Sequence, residues 1–160
     1  MDQRDFHYPH SIPLAPRERE ILKTFYREAT IERTRTRHVP RIENPPFYAD
    51  LARAGMSMPL DFSQMAGITF VDTILISDLY ADIQPRISLL FHEMVHVVQY
   101  GWLGVAEFTS KYVHGWAQKG FVYTEIPLER EAYELQQRFD SARQISFSVE
   151  EIVSQKWGII

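Results

Sequence analysis

The stretch Ile87-Ser88-Leu89-Leu90-Phe91-His92-Glu93-Met94-Val95-His96-Val97-Val98-Gln99 decides how this chain is read. Ile87, Leu90, Phe91, Met94, Val95 and Val98 fall at i, i+3, i+4, i+7, i+8 and i+11, the spacing of one helix face. Asp82 is the expected cap, Pro85 fits the first turn and Gly101 is the expected stop. Leu89 and Val97 extend the apolar surface almost all round, so the helix is predicted to be buried with His92, Glu93 and His96 inside it. Four residues advance a helix by about 400°, which puts the two imidazoles on one face a turn apart, a separation suited to two positions of a tetrahedral zinc site. Burying these polar groups without a strong partner is costly, and a metal ion supplies one. Glu93, beside the pair, is within reach of a metal-activated water as general base.

The 160 residues include no cysteine and carry a net charge of −4. Cysteine-ligated zinc, iron–sulfur centres and thiol nucleophiles are therefore excluded, and a third metal ligand must be His or a carboxylate. The candidates downstream are His114 and the acidic run Glu125, Glu129, Glu131 and Glu134. In Pro127-Leu128-Glu129-Arg130-Glu131-Ala132-Tyr133 the pattern reads as a helix start, with Glu129 placed to face the His92–His96 helix and Ala132 small enough for close approach. Helix phase must decide between Glu129, Glu131 and His114.

Outward from this centre, Pro16 opens a helix through Ile21, Leu22, Phe25 and Tyr26, and Ile31 to Val39 alternates as a strand with Arg33, Arg35 and Arg37 on one face. Gly67 to Ser77 suits one strand or a tight hairpin. Further helices are predicted at Val105 to Gln118, Leu128 to Arg143 and Ser148 to Trp157, the last with a capping-box start. Pro40, Pro45, Pro46, Gly55 and Pro59 punctuate loops within one domain spanning 1–160. The expected fold is α+β: a small antiparallel or mixed sheet packed on the central helix, with a helical C-terminal half. Met1 to Leu14 carries charges of both signs and no apolar run of signal-peptide length, and no stretch is long enough to span a membrane, so a soluble, cytoplasmic protein is expected.

His92-Glu93-Met94-Val95-His96 followed by Glu129-Arg130-Glu131-Ala132 resembles the gluzincin arrangement of HExxH zinc metallopeptidases, and Gln99 makes the motif similar to minimal bacterial HExxHxxQ domains. The resemblance covers Leu89 to Tyr133. It implies a minimal zincin-like fold, Zn²⁺ held by His92, His96 and Glu129, and Glu93 as catalytic base. It also implies that the strand near Ile68 to Ile76 borders the cleft and pairs with an extended peptide. Two departures stand out. Tyr133 occupies the position where many relatives place an Asp that orients a histidine, and Trp102 stands where a metzincin would have its third His.

The expected function is hydrolysis of peptide bonds in a peptide or protein substrate. Tyr112, His114, Tyr123 and Tyr133 are candidates for contacting substrate or the developing oxyanion. The alternative is a non-catalytic module in which the same zinc braces a peptide- or protein-binding surface. Nucleic-acid binding through Arg33, Arg35, Arg37 and Arg41 ranks last, because no aromatic platform accompanies the arginines. The oligomeric state is left open.

Overall fold

A computed structural model describes residues 3–45, 47–55, 61–83, 85–118 and 122–158; Pro46 and Pro59 lie outside them. The helices are α1 (Gln3–His7), α2 (Pro16–Leu22), α3 (Glu28–Arg33), α4 (Phe47–Arg53), α5 (Arg86–Gln118), α6 (Pro127–Ser141) and α7 (Val149–Trp157). The strands are β1 (Ile12–Pro13), β2 (Arg35–Val39), β3 (Gly67–Phe70) and β4 (Thr73–Ser77), arranged β1-β2-β4-β3. The sheet is mixed: β2 and β4 run parallel, and the two outer pairs run antiparallel. With its helical C-terminal half, the protein is α+β.

Gly67 to Ser77 forms a hairpin, with Val71 at φ 64° in the two-residue turn. A β-branched residue rarely adopts that conformation. Arg4 clamps the next residue, donating to both carboxylate oxygens of Asp72 at 2.9 and 2.8 Å. Strand β4 is buried along its whole length, and Ile74 and Ile76 pack into the core beneath α5. This makes β3 an edge strand, lying between the core and the cleft described below.

Three expectations are corrected. Ile31 to Arg33 belongs to helix α3, not to a strand, so the arginines do not form one row. The alternating pattern is overridden by a carboxylate remote in sequence: Glu150 Oε1 accepts from the Arg27 N–H at 2.9 Å and the Thr30 hydroxyl at 2.7 Å, satisfying the first turn of α3. Arg33 instead donates to the Val97 carbonyl at 3.1 Å. The central helix does not stop at Gly101. It breaks at Gly104, whose φ of 70° and ψ of 169° suit glycine almost alone. Nor does Asp82 cap it: the Pro85 carbonyl accepts the first helical N–H bonds, from Ser88 and Leu89.

Before the break, Leu89, Leu90, Phe91, Met94, Val95, Val97 and Val98 are all buried. Phe91 stacks on Phe139 of α6 with ring centroids 4.4 Å apart, and Phe25 meets both rings edge-on. Ala132 lets α6 lie close against α5. Ser148 caps α7 by accepting from the Glu151 N–H. Among the described residues no helix is long and apolar enough to cross a membrane.

Candidate metal centre

Buried helix α5 aims His92 and His96 at the first turn of α6, where Glu129 meets them. His92 Nε2 lies 3.3 Å from Glu129 Oε2, and His96 Nε2 lies 3.4 Å from Glu129 Oε1. The three donor atoms fall within 4.8 Å of one another, and all three side chains are buried. Glu131, two residues on, faces away and is held by Gln99 and Trp157. Helix phase therefore places Glu129, not Glu131, with the histidines. His114 is exposed and bonds within its own turn, to Ser110.

The remaining nitrogen of each imidazole has a partner. His92 Nδ1 is 3.0 Å from Gln136 Oε1, and His96 Nδ1 is 2.8 Å from Gln99 Oε1. Both Nε2 atoms are thus left for the centre. Two imidazole nitrogens and a carboxylate, converging in a buried pocket, are a donor set that fits a divalent ion of zinc's type. Without a metal, the charges organise one another. Burial alone would raise Glu129, but His96 and His92 hold it well below the usual carboxylate range. Burial alone would lower His96, but Glu129 carries it up to about 9.

Glu93 belongs to the cleft but not to the triad. The Thr69 hydroxyl sits 2.7 Å from Glu93 Oε2 and 3.0 Å from the Glu93 carbonyl. Strand β3 approaches so closely at Gly67 that a Cβ there would sit 2.7 Å from Glu93 Oε1. Burial raises the Glu93 carboxyl above its ordinary value, against the opposing pull of His92, His96 and Thr69. A carboxylate raised this way is a better proton acceptor when ionised.

Two tyrosines close the far side. Tyr112 and Tyr123 donate to Glu129 Oε1 at 2.8 and 2.7 Å, and burial followed by the Glu129 charge pushes both phenols up. Tyr133 lies at the rim, half exposed, its ring 4.5 Å from that of His92. The cleft opens on both sides of Glu93. One chamber of about 410 Å³ is lined by Gln64, Tyr80, Tyr133 and Gln136; the other, of about 350 Å³, is walled by Phe62, Ile68, Phe70, Phe108 and Val113.

Comparison with known protein families, curated proteins and solved structures returns no match. The site therefore stands on its own geometry. Thr69 and Gln136 were not anticipated from the sequence. Gln136 had a signal, since it lies seven residues beyond Glu129 and so on the same helix face. Thr69 had none, because only the close approach of β3 to α5 brings it to Glu93.

Proposed function

We propose that this protein is a minimal zinc-dependent metallopeptidase of gluzincin type, with His92, His96 and Glu129 as the residues that hold the ion and Glu93 as general base. The observation that carries this reading is the position of Glu93: buried, outside the triad, and facing a cleft that runs past it on both sides. A site built only to brace helices has no use for a proton-accepting carboxylate there. Zinc, when bound, supplies Lewis acidity that polarises a carbonyl and acidifies water.

The chain's own residues do the rest. Glu93 takes the proton from the attacking water and delivers it to the leaving amine, while the Thr69 hydroxyl keeps its carboxylate turned to the cleft. The Tyr112 and Tyr123 hydroxyls, which reach the centre through Glu129 Oε1, are the donors that would meet charge developing on the carbonyl oxygen. The open edge of β3 offers main-chain groups to an extended peptide substrate.

The same two tyrosines favour a second reading, a non-catalytic zinc-braced module that grips a peptide or protein, because they already occupy Glu129 Oε1. The substitution Glu93→Gln separates the two. It is expected to keep bound zinc and lower hydrolysis of a peptide library by about 10²–10⁴-fold. Full activity in Glu93→Gln would overturn the enzymatic reading.

A further inference from the structure

We propose that two hydrogen-bond relays, each ending on a carboxylate that does not touch the metal centre, dictate which ring nitrogen of His92 and His96 faces it. Asp140 is then a positioning residue of the site, and Glu131 shares that part with the Leu128 carbonyl. The inference rests on the metal-site reading above only in taking the two histidines as ligands.

A glutamine amide can sit either way round, and its partners at the far end decide. The Gln99 nitrogen lies 3.1 Å from the Leu128 carbonyl and 2.9 Å from Glu131 Oε2. Both of these only accept, so the NH₂ group must face them and the amide oxygen must face His96 Nδ1. His96 Nδ1 therefore keeps a proton, and Nε2, which Glu129 faces, is the nitrogen that gives up its own when a metal binds. Glu131 is itself fixed as an acceptor by the donor-only groups around it, Trp157 Nε1 at 2.6 Å and Lys156 Nζ at 3.5 Å.

The second relay reaches the same result by one more link. The Ser88 hydroxyl lies 2.5 Å from Asp140 Oδ2 and has a single proton to give. It donates to Asp140, so it must accept from Gln136 Nε2, 2.7 Å away. Gln136 Oε1 is then turned to accept from His92 Nδ1. Arg143 Nη2, 3.1 Å from Asp140 Oδ1, holds the end of this chain. Direct carboxylate–histidine contacts orient metal ligands in many sites. Here each carboxylate acts through an amide, which passes on direction without placing another charge beside the centre.

The relays differ in redundancy. Gln99 has a backbone carbonyl as a second anchor, so Glu131→Gln leaves its amide fixed. Gln136 depends on Ser88 and Asp140. In Asp140→Asn the new amide can donate to Ser88, the relay can run backwards, and the proton can move to the metal-facing nitrogen of His92.

The test uses the full chain and two readouts: zinc dissociation constants from chelator competition, and long-range ¹H–¹⁵N spectra of the metal-free chain carrying Glu129→Ala at alkaline pH, which report the imidazole tautomer with no carboxylate competing for the Nε2 proton. In Glu129→Ala both neutral rings are expected to carry the proton on Nδ1. Asp140→Asn is expected to weaken zinc by about 10–100-fold and, added to Glu129→Ala, to populate the Nε2–H form of His92, with Glu131→Gln changing affinity by less than about threefold. A purely structural role for Asp140 would lower the melting temperature and leave both readouts alone. If Asp140→Asn does not fold, Ser88→Ala cuts the same relay and must give the same mixed tautomer. Wild-type zinc affinity in Asp140→Asn, or an Nε2–H tautomer of either ring in Glu129→Ala alone, would overturn the proposal. Neither readout needs hydrolysis, so a protein that cleaves no peptide leaves the relays fully testable, and a protein that binds no zinc still reports its tautomers.

Discussion

Helix α5 is buried on nearly every side before Gly104 and lies largely on the surface after it. The first stretch carries His92, Glu93 and His96 among residues such as Phe91 and Met94 that have no solvent exposure. Among the described residues of the second, Phe108 and Gly115 alone are buried and Val105 and Val113 are more than half exposed, yet it sends Tyr112 to Glu129. The difference teaches how the site is divided. Groups that must hold a fixed geometry ride on the part of the helix whose rotamers are locked by packing, and groups that shape the cleft wall ride on the part that is not.

This contrast breaks first if core truncation is tolerated. Phe91→Ala is expected to lower unfolding free energy by about 3–5 kcal/mol, whereas Val113→Ala should stay within about 0.5 kcal/mol. Urea denaturation of the pair checks both, and similar losses would erase the distinction. Gly104→Ala acts on the boundary. No neighbour lies within 4 Å of an added Cβ, so its cost is backbone strain alone, about 1–3 kcal/mol. The same denaturation curves read it, and a cost near zero would mean that the break does not depend on glycine.

A smaller effect sharpens the account of the buried half. His96, raised to about 9 by Glu129, must lose its proton before Nε2 can bind a metal. Metal affinity is therefore expected to rise about tenfold, or about 1.4 kcal/mol, per pH unit up to about 9 and then level off. Chelator competition across pH measures this, and a flat profile between neutral pH and 9 would contradict the Glu129–His96 pairing.

How much of this was readable beforehand follows the same division. The motif helix and the start of α6 come from periodicity and spacing, which are local, whereas the choice of Glu129 over Glu131 waited on the packing of α6 against α5. The choice between Gly101 and Gly104 as the break is not local. Gly101 lies where the Arg33 guanidinium presses on the helix, at 2.8 Å from an added Cβ, and that contact depends on α3 being a helix. Helix α3 in turn depends on Glu150, over a hundred residues away. Gln99 was legible only as the last position of the extended motif, and its anchor on Glu131 was not legible at all, because two acidic residues two positions apart look alike until the helix is packed. Among the oxyanion candidates, Tyr112 and Tyr123 reach the centre, Tyr133 reaches its rim and His114 does not join it.

The most direct test of the central claim is the metal content of the purified chain. Wild type and Glu93→Gln are each expected to hold one zinc ion per chain, and Glu129→Ala to lose it while Glu131→Gln retains it. Absence of metal from the wild type after exposure to zinc, or undiminished zinc in Glu129→Ala, would contradict the account.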